Sequence, residues 1–381
     1  MKTILILGGS FAGVSLAHRV LKQASKAGLS VKIVLVAPNT HLYWNVAAPR
    51  AIVPGQFTDD QVFQPIAAGF KQYTAKQFEF VLGSAKNIDF AARKVEITLS
   101  SENQKTTTLD YNFLVLATGS SNKGNDIVKL PFKGLGSTEA TKNALHEFQA
   151  EVKKAKTIVI AGGGPSGVET AGELAFEYGK QKKIILLTSA EKILETAPPS
   201  VTKTAMGILG NLNVDVKLKT KVVHSSRMTQ DGANKIELSL SDDSTITADL
   251  YIPLYGLIPN SSYVPEIYLD SNGFVKVDEY LQLKGLDQHV WAIGDVSDMG
   301  PPQFLHVDKQ STHLAKNILL ILRNQPPLSY KNNTRAMGVQ IGKKAGTGHF
   351  NTMKLPGFVV TMLRKNLFTE RLPSMVDGSA F

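Results

Sequence analysis

Cysteine is missing from all 381 residues. That excludes disulfides, thiolate metal sites, iron–sulfur clusters and any redox-active cysteine pair. A thiol relay of any kind is therefore excluded. No apolar run reaches the roughly 18–20 residues of a membrane-spanning helix. A signal peptide is not expected, because Met1-Lys2-Thr3 leads at once into the short apolar run Ile4–Leu7. Lysine at position 2 excludes N-myristoylation. No His, Asp or Glu grouping has metal-ligand spacing, so no metal site is expected. Basic runs interleaved with aromatics are also missing, and nucleic acid is not an expected partner. The expected location is cytoplasmic, with a peripheral place on intracellular or mitochondrial membranes as the further option. The net charge of +10 attracts anions, whether nucleotide phosphates or anionic lipid. Oligomeric state is not legible.

What is present is a repeated glycine pattern. Gly8-Gly9-Ser10-Phe11-Ala12-Gly13 follows the apolar run Ile4–Leu7, and Gly162-Gly163-Gly164-Pro165-Ser166-Gly167 follows Ile158–Ala161. Each reads strand, tight turn, helix. Glycines let the backbone approach a pyrophosphate, and the helix N-terminus stabilises its charge. Two such loops imply two dinucleotides: FAD, and NADH or NADPH as hydride donor. The segment Val290–Asp295 adds an apolar strand ending in Gly294-Asp295, a carboxylate suited to a flavin's ribityl hydroxyls. Ala117, Thr118 and Gly119 form the exit of another strand, Leu114–Leu116. Ala85 and Gly256 complete the candidate cofactor contacts.

The chain organises accordingly as α/β, with two Rossmann-like dinucleotide-binding domains and a small C-terminal α+β region. Residues 1–121 and 256–325 are expected to form a discontinuous FAD domain, 122–255 the NAD(P)H domain and 326–381 the C-terminal region. Strands are expected at Thr3–Leu7, Val31–Val36, Thr157–Ala161, Lys183–Thr188, Val214–Leu218, Lys235–Leu240 and Leu250–Pro253. Phe78–Leu82 and Lys94–Leu99 suit a hairpin or a small crossover sheet. Helices are expected over Ala12–Lys26, 139–154, Gly167–Tyr178 and Val307–Arg323. Strand-like runs follow at Ala336–Ile341 and Phe358–Leu363.

Acids are missing where a dinucleotide fold usually has one for the adenosine ribose. The first module's second strand ends Ala37-Pro38-Asn39, leaving Asn39 and backbone groups to hold the flavin's adenosine. The second module's ends Leu187-Thr188-Ser189, and Ser189 removes the carboxylate that would repel a 2′-phosphate. Lys182, Lys183 and Lys192 are near in sequence, so NADPH and NADH are both expected donors. Those lysines read equally well as plain surface charge. Ser10 stands at the middle position of the first loop, where glycine is usual.

Glu169 opens the second loop's helix and Glu173 follows one turn on. They read as groups at the nicotinamide–flavin contact or as solvated helix acids complementing the dipole. Asp308, Lys309 and Gln310 read as a helix start, with Lys309 as a cation at the acceptor or a surface lysine. His306 and His313 are candidate proton carriers, with a structural role the commoner one. Leu355–Leu363, followed by Arg364 and Lys365, reads as a membrane-docking segment or a buried core strand.

Taken in order, Gly8–Gly13, Asn45–Ala51, Ala117–Gly119, Gly162–Glu169, Ala292–Asp295 and Gly342–Gly348 resemble the AMID/ferroptosis-suppressor-protein group of apoptosis-inducing-factor-like flavoproteins. The resemblance covers essentially the whole chain. It implies one non-covalent FAD, oxidation of NAD(P)H and reduction of a quinone, with type II NADH dehydrogenases as relatives. It also implies Arg50 near the FAD pyrophosphate and Glu169 near the nicotinamide. A signalling flavoprotein with slow NAD(P)H oxidase activity is the alternative. Ser10 and the missing N-terminal myristoylation glycine depart from the group's pattern. Arg364 and Lys365 do not align cleanly with its tail lysine.

Overall fold

The computed structural model describes residues 1–100, 105–123, 129–230, 233–286, 289–331 and 335–381. Its first sheet has seven strands, ordered Val290–Ala292, Phe113–Leu116, Lys2–Leu7, Val31–Ala37, Phe78–Asp89, Lys94–Leu99 and Thr106–Asp110. The first five run parallel. Ile4, Leu5 and Ile6 are completely buried, as continuous apolar runs in a strand covered on both faces must be. Helices Phe11–Lys26 and Phe304–Leu322 pack against each other on one face. On the other face Leu5, Leu7, Val34 and Val36 meet Val95, Ile97, Val275 and Val277.

A second parallel sheet, ordered Asp215–Lys217, Lys183–Leu187, Thr157–Ala161 and Leu250–Pro253, repeats the pattern. Helix Pro165–Tyr178 follows its loop, and a three-stranded antiparallel layer, Val222–Gln230, Ala233–Leu240 and Thr245–Ala248, packs on Val159, Ile185 and Tyr251. Ser120–Asn122 and Leu257–Pro259 pair antiparallel where the chain passes between the two sheets. The tail forms a hairpin of Ala336–Ile341 and Ala345–Phe350, a short strand Met353–Leu355, and helix Gly357–Leu363.

Three expectations change. Phe358–Leu363 is helix, not strand: Val360 lies over Gly338 and Gly346, where missing side chains let the helix rest directly on the hairpin. Short apolar runs carry no periodicity that separates the two states. The Phe78–Leu82 run continues to Asp89, its first half parallel to Val31–Ala37 and its second antiparallel to Lys94–Leu99, with Thr106–Asp110 as a further strand. The last long helix begins at Phe304, so Asp308, Lys309 and Gln310 sit one turn inside it and do not open it.

Candidate functional site

The two glycine loops obey the same steric rules. A side chain on Gly8 would place its Cβ 2.1 Å from the Ala117 carbonyl oxygen; on Gly162 it would lie 2.4 Å from that of Leu254. Both glycines have positive φ. A Cβ on Gly13 or Gly167 would clash with the carbonyl oxygen of Gly8 or Gly162, at 1.9 and 1.8 Å. Gly9 and Gly163 press on the end of the neighbouring strand, at Ala37 and Thr188. The remaining position differs: a Cβ on Gly164 would meet nothing within 4 Å. Ser10 occupies that position in the first loop, so its Cβ costs no space. Its side chain is exposed and makes no capping hydrogen bond. Both helix starts thus offer backbone N–H groups to a phosphate.

Asn39 is partly committed, its amide donating to the Leu135 carbonyl at 3.1 Å. Ala85 lies three residues past the last parallel pair, Ala37 with Leu82, at the carboxyl end of the strands where α/β sheets bind ligands. Thr118 is fixed by Asn260 and Tyr263: its hydroxyl donates to the Asn260 carbonyl at 2.7 Å and lies 2.9 Å from the Tyr263 hydroxyl. Burial raises the Tyr263 phenol, which stays protonated. Gly119 and Gly256 have positive φ, and Lys123 and Gly256 are joined by a backbone hydrogen bond of 3.3 Å.

Gly294, with φ of 75°, turns the chain so that Asp295 leaves the sheet. Its N–H is held by Gln310 at 2.7 Å. One carboxylate oxygen of Asp295, Oδ2, accepts from Lys133 at 2.6 Å and from Ser120 at 3.1 Å. Among the described residues no donor reaches Oδ1, which fits a hydroxyl-rich ligand beside it. Lys133 was not singled out from the sequence. It sits on a strap, residues 131–135, fastened by the Tyr43 hydroxyl to the Pro131 carbonyl at 2.7 Å and by Asn39 to Leu135.

Glu169 and Glu173 are not solvated: their relative exposures are 6% and 3%. Arg50 binds Glu173 in a fork, Nε to Oε2 at 3.0 Å and Nη2 to Oε1 at 2.7 Å, in full burial. Arg364 reaches back from the tail to Glu169 at 2.7 Å, and the Gln340 backbone N–H donates to the same oxygen at 3.2 Å. Burial raises the Glu169 carboxyl above its usual range, with the Arg364 charge opposing the shift. The sequence resemblance left Arg364 without a role; the structure makes it the direct partner of Glu169. Two acids one helical turn apart are therefore each neutralised by an arginine from a different part of the chain.

Lys309 is half-buried near His306, whose pKa is lowered by burial first and by the Lys309 charge second. His313 lies 2.8 Å from the Leu328 carbonyl and has a structural place. Lys182 donates to the carbonyls of Lys153 and Ala155, and Lys183 begins its strand at the end away from the loop. Neither can serve a nucleotide at the glycine loop. Lys192 does line the cavity of about 490 Å³ there, together with Gly162–Gly164, Ser189 and Lys221.

A pair of identically built phosphate loops on two parallel sheets, with a strand-end aspartate returning to the first, defines a two-dinucleotide-binding flavoprotein. The chain belongs to the pyridine nucleotide-disulphide oxidoreductase family, whose model matches residues 2–316. It is 51% identical over 381 residues to oxidoreductase ptaL of Pestalotiopsis fici, covering 100% of each chain. It is also 27% identical over 380 residues to ferroptosis suppressor protein 1 of Xenopus tropicalis, covering 97% of this chain and 94% of that one. That match bears out the resemblance read from the motifs. The sulfide:quinone oxidoreductase of Aquifex aeolicus shares the fold, with a TM-score of 0.79 at 15% identity over 99% of this chain and 92% of that one. The protein is an NAD(P)H-dependent flavoprotein oxidoreductase, with FAD and a pyridine nucleotide as cofactors.

Proposed function

We propose that the protein is an NAD(P)H:quinone oxidoreductase. The carrying observation is the pairing of two complete phosphate loops with a total lack of cysteine. A bound flavin supplies hydride acceptance from NAD(P)H and two-electron delivery to the acceptor. The chain's own residues do the rest. The Gly8–Gly13 loop holds the FAD pyrophosphate, and Asp295 takes a ribityl hydroxyl on Oδ1. The Gly162–Gly167 loop, with Pro165 and Ser166 opening its helix, holds the nicotinamide dinucleotide. Glu169 faces the nicotinamide, its charge set by Arg364. Arg50 acts on the FAD side through the short helix Ala48–Ala51, which its fork to Glu173 ties to the second loop's helix. Lys309 supplies positive charge toward the acceptor. The paired strands Ser120–Asn122 and Leu257–Pro259 support domain boundaries near 121 and 256. Steady-state NADPH and NADH oxidation, with and without a soluble quinone, tests the reading. Stimulation of at least tenfold by quinone is the expected result. Slow oxidation indifferent to quinone would favour a signalling flavoprotein.

The acceptor class also explains the tail. Helix Gly357–Leu363 buries Val360 but leaves Phe358 73% and Met362 66% exposed, next to exposed Met353. Lys354 and Lys365 border this helix along the chain and are exposed, Lys354 donating to the Thr204 hydroxyl at 2.6 Å and Lys365 pairing with Glu370 at 3.3 Å. Such a surface suits the boundary of an anionic bilayer, where a hydrophobic quinone resides. No helix among the described residues is long and apolar enough to cross a membrane. Wild type should co-sediment with phosphatidylserine vesicles at low salt, and Phe358→Glu/Met362→Glu should stay in solution. Equal behaviour of the two proteins would sink the docking idea.

A further inference from the structure

The second loop's cavity carries more than a generic nucleotide site. Thr188 and Ser189 end its strand without a carboxylate. The segment after strand Asp215–Lys217 is fastened alongside: the Thr220 N–H donates to the Thr188 carbonyl at 2.8 Å, and the Lys219 N–H to that of Ala190 at 3.0 Å. This fastening brings Lys221 to the same cavity as Lys192, from the other side of the strand end. Lys219 pairs with Glu191 at 2.8 Å, which removes that acid's charge from the rim. Among the described residues neither Lys192 nor Lys221 has an ion-pair partner. Glu195 is the one acid in the lining. Two cations against one anion, plus the Ser189 hydroxyl, leave this end of the cavity net positive.

We propose that Ser189, Lys192 and Lys221 form a site for a phosphate monoester on the adenosine ribose, so that NADPH is preferred over NADH. The inference rests on the reading of this cavity as the nicotinamide dinucleotide site. A 2′-phosphate carries up to two negative charges and three acceptor oxygens. Ammonium groups match it, and a strand-end carboxylate would repel it. The preference should shrink as salt rises, because Lys221 is exposed and Lys192 only half-buried.

Titration calorimetry on the FAD-loaded protein with 5′-AMP, 2′,5′-ADP and 3′,5′-ADP tests this without turnover. The expected result is 2′,5′-ADP binding roughly tenfold tighter than both others at low salt. Lys221→Ala and Lys192→Ala should each cut that ratio severalfold, and Glu195→Gln should raise it. Equal affinity for 2′,5′-ADP and 5′-AMP overturns the inference but leaves the nucleotide site standing. Equal affinity for 2′,5′-ADP and 3′,5′-ADP reduces it to general charge attraction and also overturns it. An undiminished ratio in both lysine variants removes the residue assignment. If no nucleotide binds, the cavity is not a dinucleotide site, and the proposed function fails with the inference.

Discussion

Asp295→Ala protein should emerge from gel filtration with most of its FAD gone. Asp295 follows the Gly294 turn at the end of the first sheet's strands, and among the described residues no donor reaches its Oδ1. Losing a hydrogen bond to a charged group costs about 1.5–3 kcal/mol. At about 1.4 kcal/mol per decade, that is roughly a ten- to hundredfold weaker FAD complex. Lys133 loses its partner too, but it is partly exposed and regains water, so the fold should survive. Equilibrium titration of apoprotein with FAD gives the number. Ser10→Gly is the control: its Cβ occupies open space, and affinity should stay within a few-fold. Full FAD occupancy in Asp295→Ala would refute the ribityl assignment.

Arg364→Met should destabilise the protein by about 3 kcal/mol near neutral pH, the low end for breaking a buried ion pair. Glu169 would keep its burial and lose its main counter-charge, leaving the Gln340 N–H as a direct partner. The pH dependence has a definite sign. Burial already raises the Glu169 carboxyl in the folded state. A raised carboxyl contributes stability below its unfolded value and loses it as pH rises through its folded value. Without Arg364 the carboxyl moves higher still, so the deficit should be largest at alkaline pH. It should shrink as pH falls from the alkaline into the acid range and the carboxyl takes up a proton. Denaturant melts of wild type and variant across that range measure it. Arg364→Met/Glu169→Gln should regain most of the loss. A deficit independent of pH would show that Arg364 acts through packing alone.

The parts legible in the sequence were those set by local sterics. A glycine that must sit against a carbonyl at the end of the adjacent strand still declares itself by its place after an apolar run. This is why both loops and Gly294-Asp295 could be read. The open position at Gly164 explains why Ser10 is compatible with the first loop, which the motif alone did not. Long-range pairs were not legible. Lys133 and Asp295, like Arg364 and Glu169, carry no mutual signal in spacing, because the tertiary fold sets their approach. Sequence neighbourhood also misled: Lys182 and Lys183 are near Ser189 along the chain but lie at the far end of its strand, whereas Lys221 is remote in sequence and lines the same cavity. The acids of helix Pro165–Tyr178 read equally well as solvated because nothing local reveals that the tail hairpin covers them.

Two anaerobic half-reactions, followed by the visible absorbance of the flavin, bear most directly on the central reading. NADPH or NADH added to the FAD-loaded protein should bleach the flavin, and a soluble quinone added next should restore the oxidised spectrum within the turnover time. Bleaching that quinone fails to reverse, while another acceptor does, would contradict quinone as the electron acceptor. A flavin that neither nucleotide bleaches would contradict the account of the second loop as a hydride donor's site.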